Sequence, residues 1–440
     1  MHKLTRVSNN TLPPDSAESR VLHKVKIRII PYILLLYFVA YLDRINIGFA
    51  ALTMNKELGV TSQQFGLLAG VFFFGYFLFE VPSNLLLHKI GARIWIARIL
   101  ITWGAIAALG GFVHTVAQLY VVRFLLGFAE AGYFPGIVLY LTYWFCRRDR
   151  AHVNALFFTA LPVTSILGAP LSALILDHIH WLGVSSWRWL LILEGLPAIL
   201  FGLLTYFVLP SSPKEATFLA DDEKEWIQKQ LALEEQDKLQ QHQYTVVRAL
   251  ANGRVWQLIG VYFGMMFGLY TLNFWAPQLI RSLSTGYSNT SVGLLVMIPN
   301  LVGLAGMMVI SRSSDRKLER RLHAAIPAIL CGIAFLLLPS THSPVPSILL
   351  LSVVAVGVYG FMGPFWALPS EFLTGFAAAA GIALINSVGN LGSFVGPYLV
   401  GLAKQKTGNF SAGLAIAGIA ALVAAILALL LPRRAPHSTG

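Results

Sequence analysis

Long apolar stretches separated by shorter polar ones dominate the chain. Twelve of them come close to or exceed the roughly 20 residues that a helix needs to cross a bilayer. They lie at about 29–50, 62–88, 94–113, 117–140, 151–177, 187–209, 254–282, 289–311, 323–340, 346–369, 371–402 and 409–431. The strict alternation of apolar and polar residues that a membrane β-barrel needs does not occur in them, so helices must satisfy the backbone in lipid. The pattern therefore predicts an all-α membrane protein with twelve transmembrane helices in contact with the lipid bilayer.

The longest polar interruption, residues 210–253, divides the chain into two sets of six spans. It opens with Pro and Ser and then becomes charged, with helix-forming residues through 221–241. We interpret it as a cytoplasmic linker that contains a short surface helix. The predicted domains are thus a six-helix half at 1–209 and a second six-helix half at 254–440. A solvated tether is the expected role of the linker, and partner binding is the alternative.

The charge of the chain is low in amount and uneven in distribution. Charged residues make up 12% and hydrophobic residues 56% of the chain, and its mean hydropathy is +0.68. The net charge of +12 would suit an acidic partner such as nucleic acid. However, with the N-terminus inside, the short inside segments hold seventeen Lys and Arg and the outside segments five. This is the bias of cytoplasmic loops, so we expect both termini in the cytoplasm and no nucleic-acid partner.

Two pairs of opposite charges fall inside the apolar runs. Asp43 and Arg44 are adjacent, and Arg123 and Glu130 lie seven residues apart, on one face of a helix. A charge at bilayer depth costs about 2.5–3.5 kcal/mol, so such residues usually face a protein interior or a watery pathway. Acids can take up protons and arginines can hold an anion, which favours a proton-coupled carrier of an anion. A static ion pair that only fixes helix packing is the alternative.

The two halves resemble diverged repeats. A shift of 227 residues relates Asn46 to Asn273, His88 to Asp315 and Pro170 to Pro397. Carriers built from repeats hold their substrate near mid-membrane at the interface of the repeats. We therefore expect the site to lie between the halves.

Other chemistry has weak support in the sequence. No P-loop is present, so ATP is not the expected energy source. His178 and His180 alternate in a loop without the further ligands that zinc requires. No nucleophile with an accompanying base stands out. We expect a protein that is not an enzyme and has no metal or cofactor, with protons as the coupling ion.

Several segments carry a family resemblance that covers nearly the whole chain. They are YLDRINIGFAALTMNKELG, FEVPSNLLLHKIGAR, RFLLGFAEAGYFPGIVLYLTYWF, WRWLLILEGLPAILFG, SDRKLERR and GIALINSVGNLGSFVGPYLVG. With these motifs the chain resembles the major facilitator superfamily (MFS) and, within it, the anion:cation symporters of the tartrate and hydroxyphenylacetate permease type. The resemblance implies the MFS fold, a bacterial cytoplasmic membrane and a monomer.

The resemblance also implies roles for particular residues. Asp43 and Glu130 match the proton-carrying acids of the family, and Arg44 and Arg123 match its arginines. Arg123 is the stronger candidate for contact with the anion, although it can also simply neutralise Glu130. The other substrate-site candidates are Tyr41, Tyr76, Tyr270, Asn273, Trp366, Ser370, Asn386 and Asn390. Packing is the alternative for Tyr41 and Tyr76. Asn386 and Asn390 lie one turn apart and can bind either substrate hydroxyls or each other.

The loop after the second span departs from the usual superfamily pattern. Its usual aspartate is replaced by His88, before Arg93, whereas the second half keeps Asp315 and Arg316. The charge relay that locks one state in the family is therefore expected to rest more on the second half.

The expected function is proton symport of a small organic carboxylate by alternating access. A tartrate-like diacid, a hydroxy-aromatic acid and a sugar acid all remain open as cargo. A proton-driven exporter of drugs or amphiphiles is the first alternative, although the incomplete exporter motif at 166–173 favours symport. A transporter-like receptor is the second alternative.

Overall fold

The computed structural model describes residues 17–145, 147–240, 251–369 and 375–432. Ser370 and the side chain of His88 lie outside the described part. Sixteen α-helices run through the described residues. They are α1 Ala17–Leu58, α2 Ser62–Ile90, α3 Ala92–Leu109, α4 Val116–Glu130, α5 Tyr133–Thr142, α6 Arg147–His178, α7 Ser186–Val208, α8 Asp221–Gln240, α9 Gly253–Ser282, α10 Asn289–Lys317, α11 Arg321–Leu337, α12 Pro344–Gly360, α13 Met362–Ala367, α14 Gly375–Gly389, α15 Gly392–Thr407 and α16 Ser411–Leu429.

Eleven helical segments of the described part are long and apolar enough to span a membrane. The remaining predicted span, 371–402, contains two shorter helices, α14 and α15, interrupted between Gly389 and Gly392. Gly392 permits a close approach there, because a Cβ at this position would lie 2.1 Å from the Phe263 carbonyl oxygen. The all-α membrane fold is confirmed, and the predicted spans appear in the predicted order.

The two halves pack in the same way. In the first half α3 packs on α7 and α2 packs on α4; in the second half α11 packs on α16 and α10 packs on α12. Helix α1 meets its counterpart α9 at the centre of the molecule. A Cβ on Gly48 of α1 would lie 3.0 Å from the carbonyl oxygen of Asn273 on α9. The repeat seen in the sequence therefore corresponds to two similar bundles, which meet at α1 with α9 and more extensively at α2 with α15 and at α6 with α10.

The halves are in close contact at the end of the bundle that is predicted to face outside. Asp177, at the end of α6, accepts hydrogen bonds from the Thr290 backbone N–H at 2.7 Å and from Asn289 Nδ2 at 2.8 Å. Its negative charge there also stabilises the N-terminus of α10. The Ser62 N–H of α2 donates to Gln405 Oε1 of α15 at 3.1 Å. This end of the path between the halves is therefore closed.

The described part of the linker packs on the first half. Lys24 Nζ lies 2.7 Å from Glu223 Oε1, and the Phe218 ring stacks on Trp144. The Lys24 hydrogen bond and the Ala220 backbone N–H lower the pKa of Glu223. Ile227 of α8 is buried. The linker from Phe218 to Ile227 is thus not a free tether, because it is held against the first half by these contacts.

Candidate functional site

Asp43 and Arg44 occupy different environments although they are neighbours in α1. Successive residues of a helix point about 100° apart, so the two side chains diverge. Asp43 is 2% exposed and accepts hydrogen bonds from Trp103 Nε1 at 2.7 Å and Asn46 Nδ2 at 3.1 Å. It therefore lies inside the first half, whereas Arg44 points to the centre of the protein.

Arg44 joins the two halves through its guanidinium. Its Nη2 forms an ion pair and hydrogen bond with Glu130 of α4. Its Nη1 donates to the Tyr270 hydroxyl of α9, in the second half, at 3.2 Å. Two donors of one rigid fork thus hold a carboxylate of one half and a hydroxyl of the other.

Glu130 is placed for this contact by a break in its span. Helix α4 ends at Glu130, and Gly132 follows with φ +85° before α5 begins. A Cβ on Gly132 would be strained at this φ and would lie 2.3 Å from Ser83 Oγ. A carboxylate at a helix C-terminus is unfavourable, so the Arg44 charge is needed beside it.

Arg123 lies behind the pair rather than in the cavity wall. It is 4% exposed, and its guanidinium carbon is 5.2 Å from the centroid of the Phe72 ring. The guanidinium carbon of Arg44 lies at the same distance from the same ring. Arg123 Nε and Nη2 have no hydrogen-bond partner among the described residues. The sequence favoured Arg123 for anion contact, but the structure places Arg44 at the cavity and pairs it with Glu130.

A central cavity of about 60 Å³ lies between the halves. This is room for the centres of a few water molecules. Aromatic residues from both halves form most of its wall, together with one charged residue, Arg44. The aromatic residues are Tyr37, Phe73, Tyr76, Phe134, Phe158, Tyr262, Tyr270 and Trp366.

The structure brings six of the predicted substrate residues to this cavity. They are Arg44, Tyr76, Tyr270, Trp366, Asn386 and Asn390. Tyr41 and Asn273 instead bind each other between the halves, with Asn273 Nδ2 donating to the Tyr41 hydroxyl at 2.8 Å. Two of the cavity residues have a buried nitrogen that lacks a hydrogen-bond partner in the described part, Arg44 at Nε and Trp366 at Nε1.

The two predicted asparagines of the eleventh span do not bind each other in the way that the sequence left open. Asn386 Nδ2 donates to Glu80 Oε1 of α2 at 3.2 Å, and Ser387 Oγ donates to Glu80 Oε2 at 2.7 Å. Asn390 accepts a long hydrogen bond of 3.4 Å from Ser393 Oγ. Asn386 is therefore occupied by a carboxylate of the opposite half, and Asn390 is the more available amide.

Two further buried acids, Glu80 and Glu194, are not among the predicted site residues. Glu80 connects α2 to α14 beside the cavity, as described above. Glu194 of α7 is 2% exposed and accepts a 2.7 Å hydrogen bond from Ser172 Oγ, and its Oε2 has no partner among the described residues. The sequence feature that could have identified them is the same as for Asp43, namely a carboxylate inside an apolar run.

The residues predicted for the gating loops lie at the other end of the bundle, where we expect the cytoplasm. Arg93 Nη1 is 3.4 Å from Glu215 Oε2 of the linker. Asp315 Oδ1 is 2.5 Å from Arg320 Nη1, while Arg316 is exposed. The locking role of these loops stays a prediction.

Known proteins of similar sequence are membrane transporters. A protein of Agrobacterium vitis named "Putative tartrate transporter" is 45% identical over 423 residues, which is 96% of this chain and 97% of that protein. A "Quinolone resistance transporter" of Acinetobacter baumannii is 40% identical over 93% of this chain and 94% of its own length.

The fold has solved counterparts. The crystal structure of a bacterial homologue of the human lysosomal transporter Spinster, in an inward-facing and occupied conformation, superposes with a TM-score of 0.72. It is 16% identical and covers 92% of this chain and 95% of that one, so it supports the fold alone. The family model described as Major Facilitator Superfamily matches residues 33–397. The chain therefore belongs to the Major Facilitator Superfamily and is a multi-pass membrane transporter rather than an enzyme.

Proposed function

We propose that this transporter imports a small organic carboxylate together with protons. The observation that carries the proposal is the Arg44–Glu130 pair at the cavity. An incoming carboxylate and the Glu130 carboxylate must compete for the same guanidinium. Protonation of Glu130 removes its charge and leaves Arg44 to the substrate, so proton binding and anion binding favour each other.

The cycle follows from this competition. With the outside end open, Glu130 binds a proton and the substrate carboxylate binds Arg44. The halves then close at the outside end, as seen at Asp177 and Ser62. Loss of the proton on the cytoplasmic side restores the negative charge of Glu130. The Arg44–Glu130 ion pair then forms again and displaces the anion. Neither a free proton nor a free anion completes the cycle, because either alone leaves a buried charge without a partner.

Asp43 is proposed as a second proton site. Its hydrogen bonds come from neutral donors, Trp103 and Asn46, rather than from a cation. A proton beyond the number that balances the anion would let the membrane potential contribute about 2.3 kcal/mol per 100 mV.

An organic-anion cargo agrees with the name of the Agrobacterium vitis relative. The excess of Lys and Arg in the predicted inside segments supports a cytoplasmic membrane location with both termini inside. We propose a monomer as the working unit, since each chain holds both halves of the site.

Uptake by purified protein in liposomes tests the coupling. We expect L-tartrate or 4-hydroxyphenylacetate, supplied as radiolabelled probes, to accumulate when the outside is one pH unit more acidic than the inside. A gradient of this size supports about tenfold accumulation per coupled proton. A pH dye inside the vesicles should report proton entry that depends on the probe. Accumulation that ignores the pH gradient and is unaffected by a protonophore would contradict proton coupling.

A proton-driven exporter of amphiphiles is the second candidate. The Acinetobacter baumannii relative named for quinolone resistance favours it, and the aromatic cavity wall can pack against a flat drug. A susceptibility panel in cells with and without the gene separates the two candidates. Raised tolerance to quinolones, with no carboxylate uptake in liposomes, would select the exporter.

A further inference from the structure

A carboxylate of the first half is held by two donors of the second half beside the central cavity. Glu80 of α2 is 4% exposed and accepts hydrogen bonds from Asn386 Nδ2 at 3.2 Å and Ser387 Oγ at 2.7 Å, both on α14. Glu80 follows Tyr76, which lines the cavity, by one helical turn. Because α2 begins at the closed outside end, this turn leads towards the end where we expect the cytoplasm. The contact therefore joins the halves on the cytoplasmic side of the cavity.

This contact is costly to break while it is dry. Each oxygen of Glu80 accepts one hydrogen bond, and both donors belong to the same helix of the opposite half. A buried carboxylate that loses its donors bears the full cost of its desolvation until water replaces them. Separation of α14 from α2 therefore requires water to reach Glu80 from the cytoplasmic side.

The other helix of the same span is fixed on α2. A Cβ on Gly70 of α2 would lie 2.7 Å from the Phe394 carbonyl oxygen of α15, so the two backbones are in direct contact. Near the outside end, the hydrogen bond between Ser62 and Gln405 joins the same two helices. Helix α15 thus stays on α2 for as long as the outside end is closed.

The junction between α14 and α15 has a local change of helical winding. The Leu391 N–H donates to the Val388 carbonyl at 3.1 Å, and the Ser393 N–H donates to the Asn390 carbonyl at 2.9 Å. These bonds connect residues three apart instead of four, and a tight turn of this kind inside a helix often marks a hinge. Helix α14 can therefore change its direction while α15 keeps its place.

We propose that Glu80 is a positioning residue of the transport cycle, which latches α14 to the first half on the cytoplasmic side of the cavity. Release of Asn386 and Ser387 lets α14 bend at residues 389–392 and opens the cavity towards the cytoplasm, while α15 and the outside closure remain in place. The inference goes beyond the proposed function, because it holds for any cargo and any coupling ion.

Distances between spin labels on the two halves test the latch in the purified protein without cargo. Lys89→Cys with Lys317→Cys reports the cytoplasmic end, and Lys56→Cys with Lys406→Cys reports the outside end. All four positions are exposed. The two native cysteines are replaced by Ala. Double electron–electron resonance then gives the ratio of long to short distances at each end.

Glu80→Ala is expected to raise this ratio at the cytoplasmic pair about tenfold, which is the value of one hydrogen bond to a charged group. The outside pair should not change. Asp177→Asn is the matched opposite variant, because Asp177 joins the halves at the outside end, and it should lengthen the outside pair alone. Wild-type distances in Glu80→Ala, or equal lengthening of both pairs as in a general loosening of the fold, would overturn the proposal.

Ser387→Ala tests the same contact from its other partner and keeps Glu80 in place. We expect it to raise the cytoplasmic ratio about fivefold alone and not at all in the Glu80→Ala background, because two changes to one contact do not add. Ser352→Ala is the matched control, since Ser352 Oγ donates to the Ile348 carbonyl within its own helix, and it should keep the wild-type ratio. Additive effects of Glu80→Ala and Ser387→Ala would contradict the latch. If Glu80→Ala does not fold, a wild-type ratio in Ser387→Ala would contradict it as well.

Discussion

Replacing Glu130 by Gln is expected to abolish accumulation of the cargo while preserving its exchange across the membrane. In liposomes with a gradient of one pH unit, the accumulation ratio should fall to about one from the wild-type value of about ten per coupled proton. The reason is that a glutamine side chain has no proton to give up on the cytoplasmic side. The side chain beside Arg44 then stays neutral throughout the cycle. The anion can still bind Arg44 and cross the membrane, but no carboxylate forms on the cytoplasmic side to displace it.

A counterflow assay measures the exchange of cargo across the membrane that Glu130→Gln should retain. Liposomes preloaded with unlabelled 4-hydroxyphenylacetate should still take up the labelled acid through Glu130→Gln, with no response to pH. Glu223→Gln is the matched control, because Glu223 is also a carboxylate paired with a cation but lies on the linker helix beside Lys24. It should accumulate as the wild type does. Concentrative uptake by Glu130→Gln at the wild-type ratio would refute the coupling role of Glu130.

The fold was largely predictable because membrane insertion imposes a simple rule on the sequence. Spans must be about 20 apolar residues long, so their number and order can be read from hydropathy. The interruptions were less predictable, because the breaks at Gly132 and between Gly389 and Gly392 depend on which neighbouring helix approaches the backbone. Those breaks matter, since the first of them places Glu130 at a helix end beside Arg44.

The candidate site was predictable in its charges but not in its pairing. Asp43, Arg44, Arg123 and Glu130 stand out because each is costly in lipid. The helical face shared by Arg123 and Glu130 suggested that they pair, yet Arg44, from another helix, forms the pair. Spacing along one helix cannot reveal a contact between helices.

The aromatic wall had even less signal in the sequence. An aromatic residue that lines the cavity, such as Tyr262, looks the same in the sequence as one that packs in the core, such as Tyr359. Only the packing of both halves separates them. The lining of the cavity therefore emerges from the three-dimensional arrangement, while the buried charges are already visible in the sequence.

Arg44→Lys is expected to weaken cargo binding by about 100-fold although it keeps the positive charge. Arg44 uses Nη2 for Glu130 and Nη1 for Tyr270, and a Lys ammonium cannot reproduce this planar fork. Disturbing a buried charge pair costs about 2–5 kcal/mol, which corresponds to losses from about thirtyfold to several thousandfold. Arg98→Lys is the matched control, because Arg98 stacks on Trp95 at 3.8 Å and does not line the cavity. Calorimetry with 4-hydroxyphenylacetate should find the control within about twofold of the wild type.

A paired substitution separates loss of binding from loss of folding. Arg44→Gln alone leaves Glu130 buried without its cation, so we expect a lower melting temperature as well as lost binding. In Arg44→Gln with Glu130→Gln the buried charge is gone, and the melting temperature should return towards that of the wild type while binding stays lost. Recovery of cargo binding in the double variant, or wild-type affinity in Arg44→Lys, would show that the anion binds elsewhere. If Arg44 binds the cargo, the double variant should recover its melting temperature but not its cargo binding.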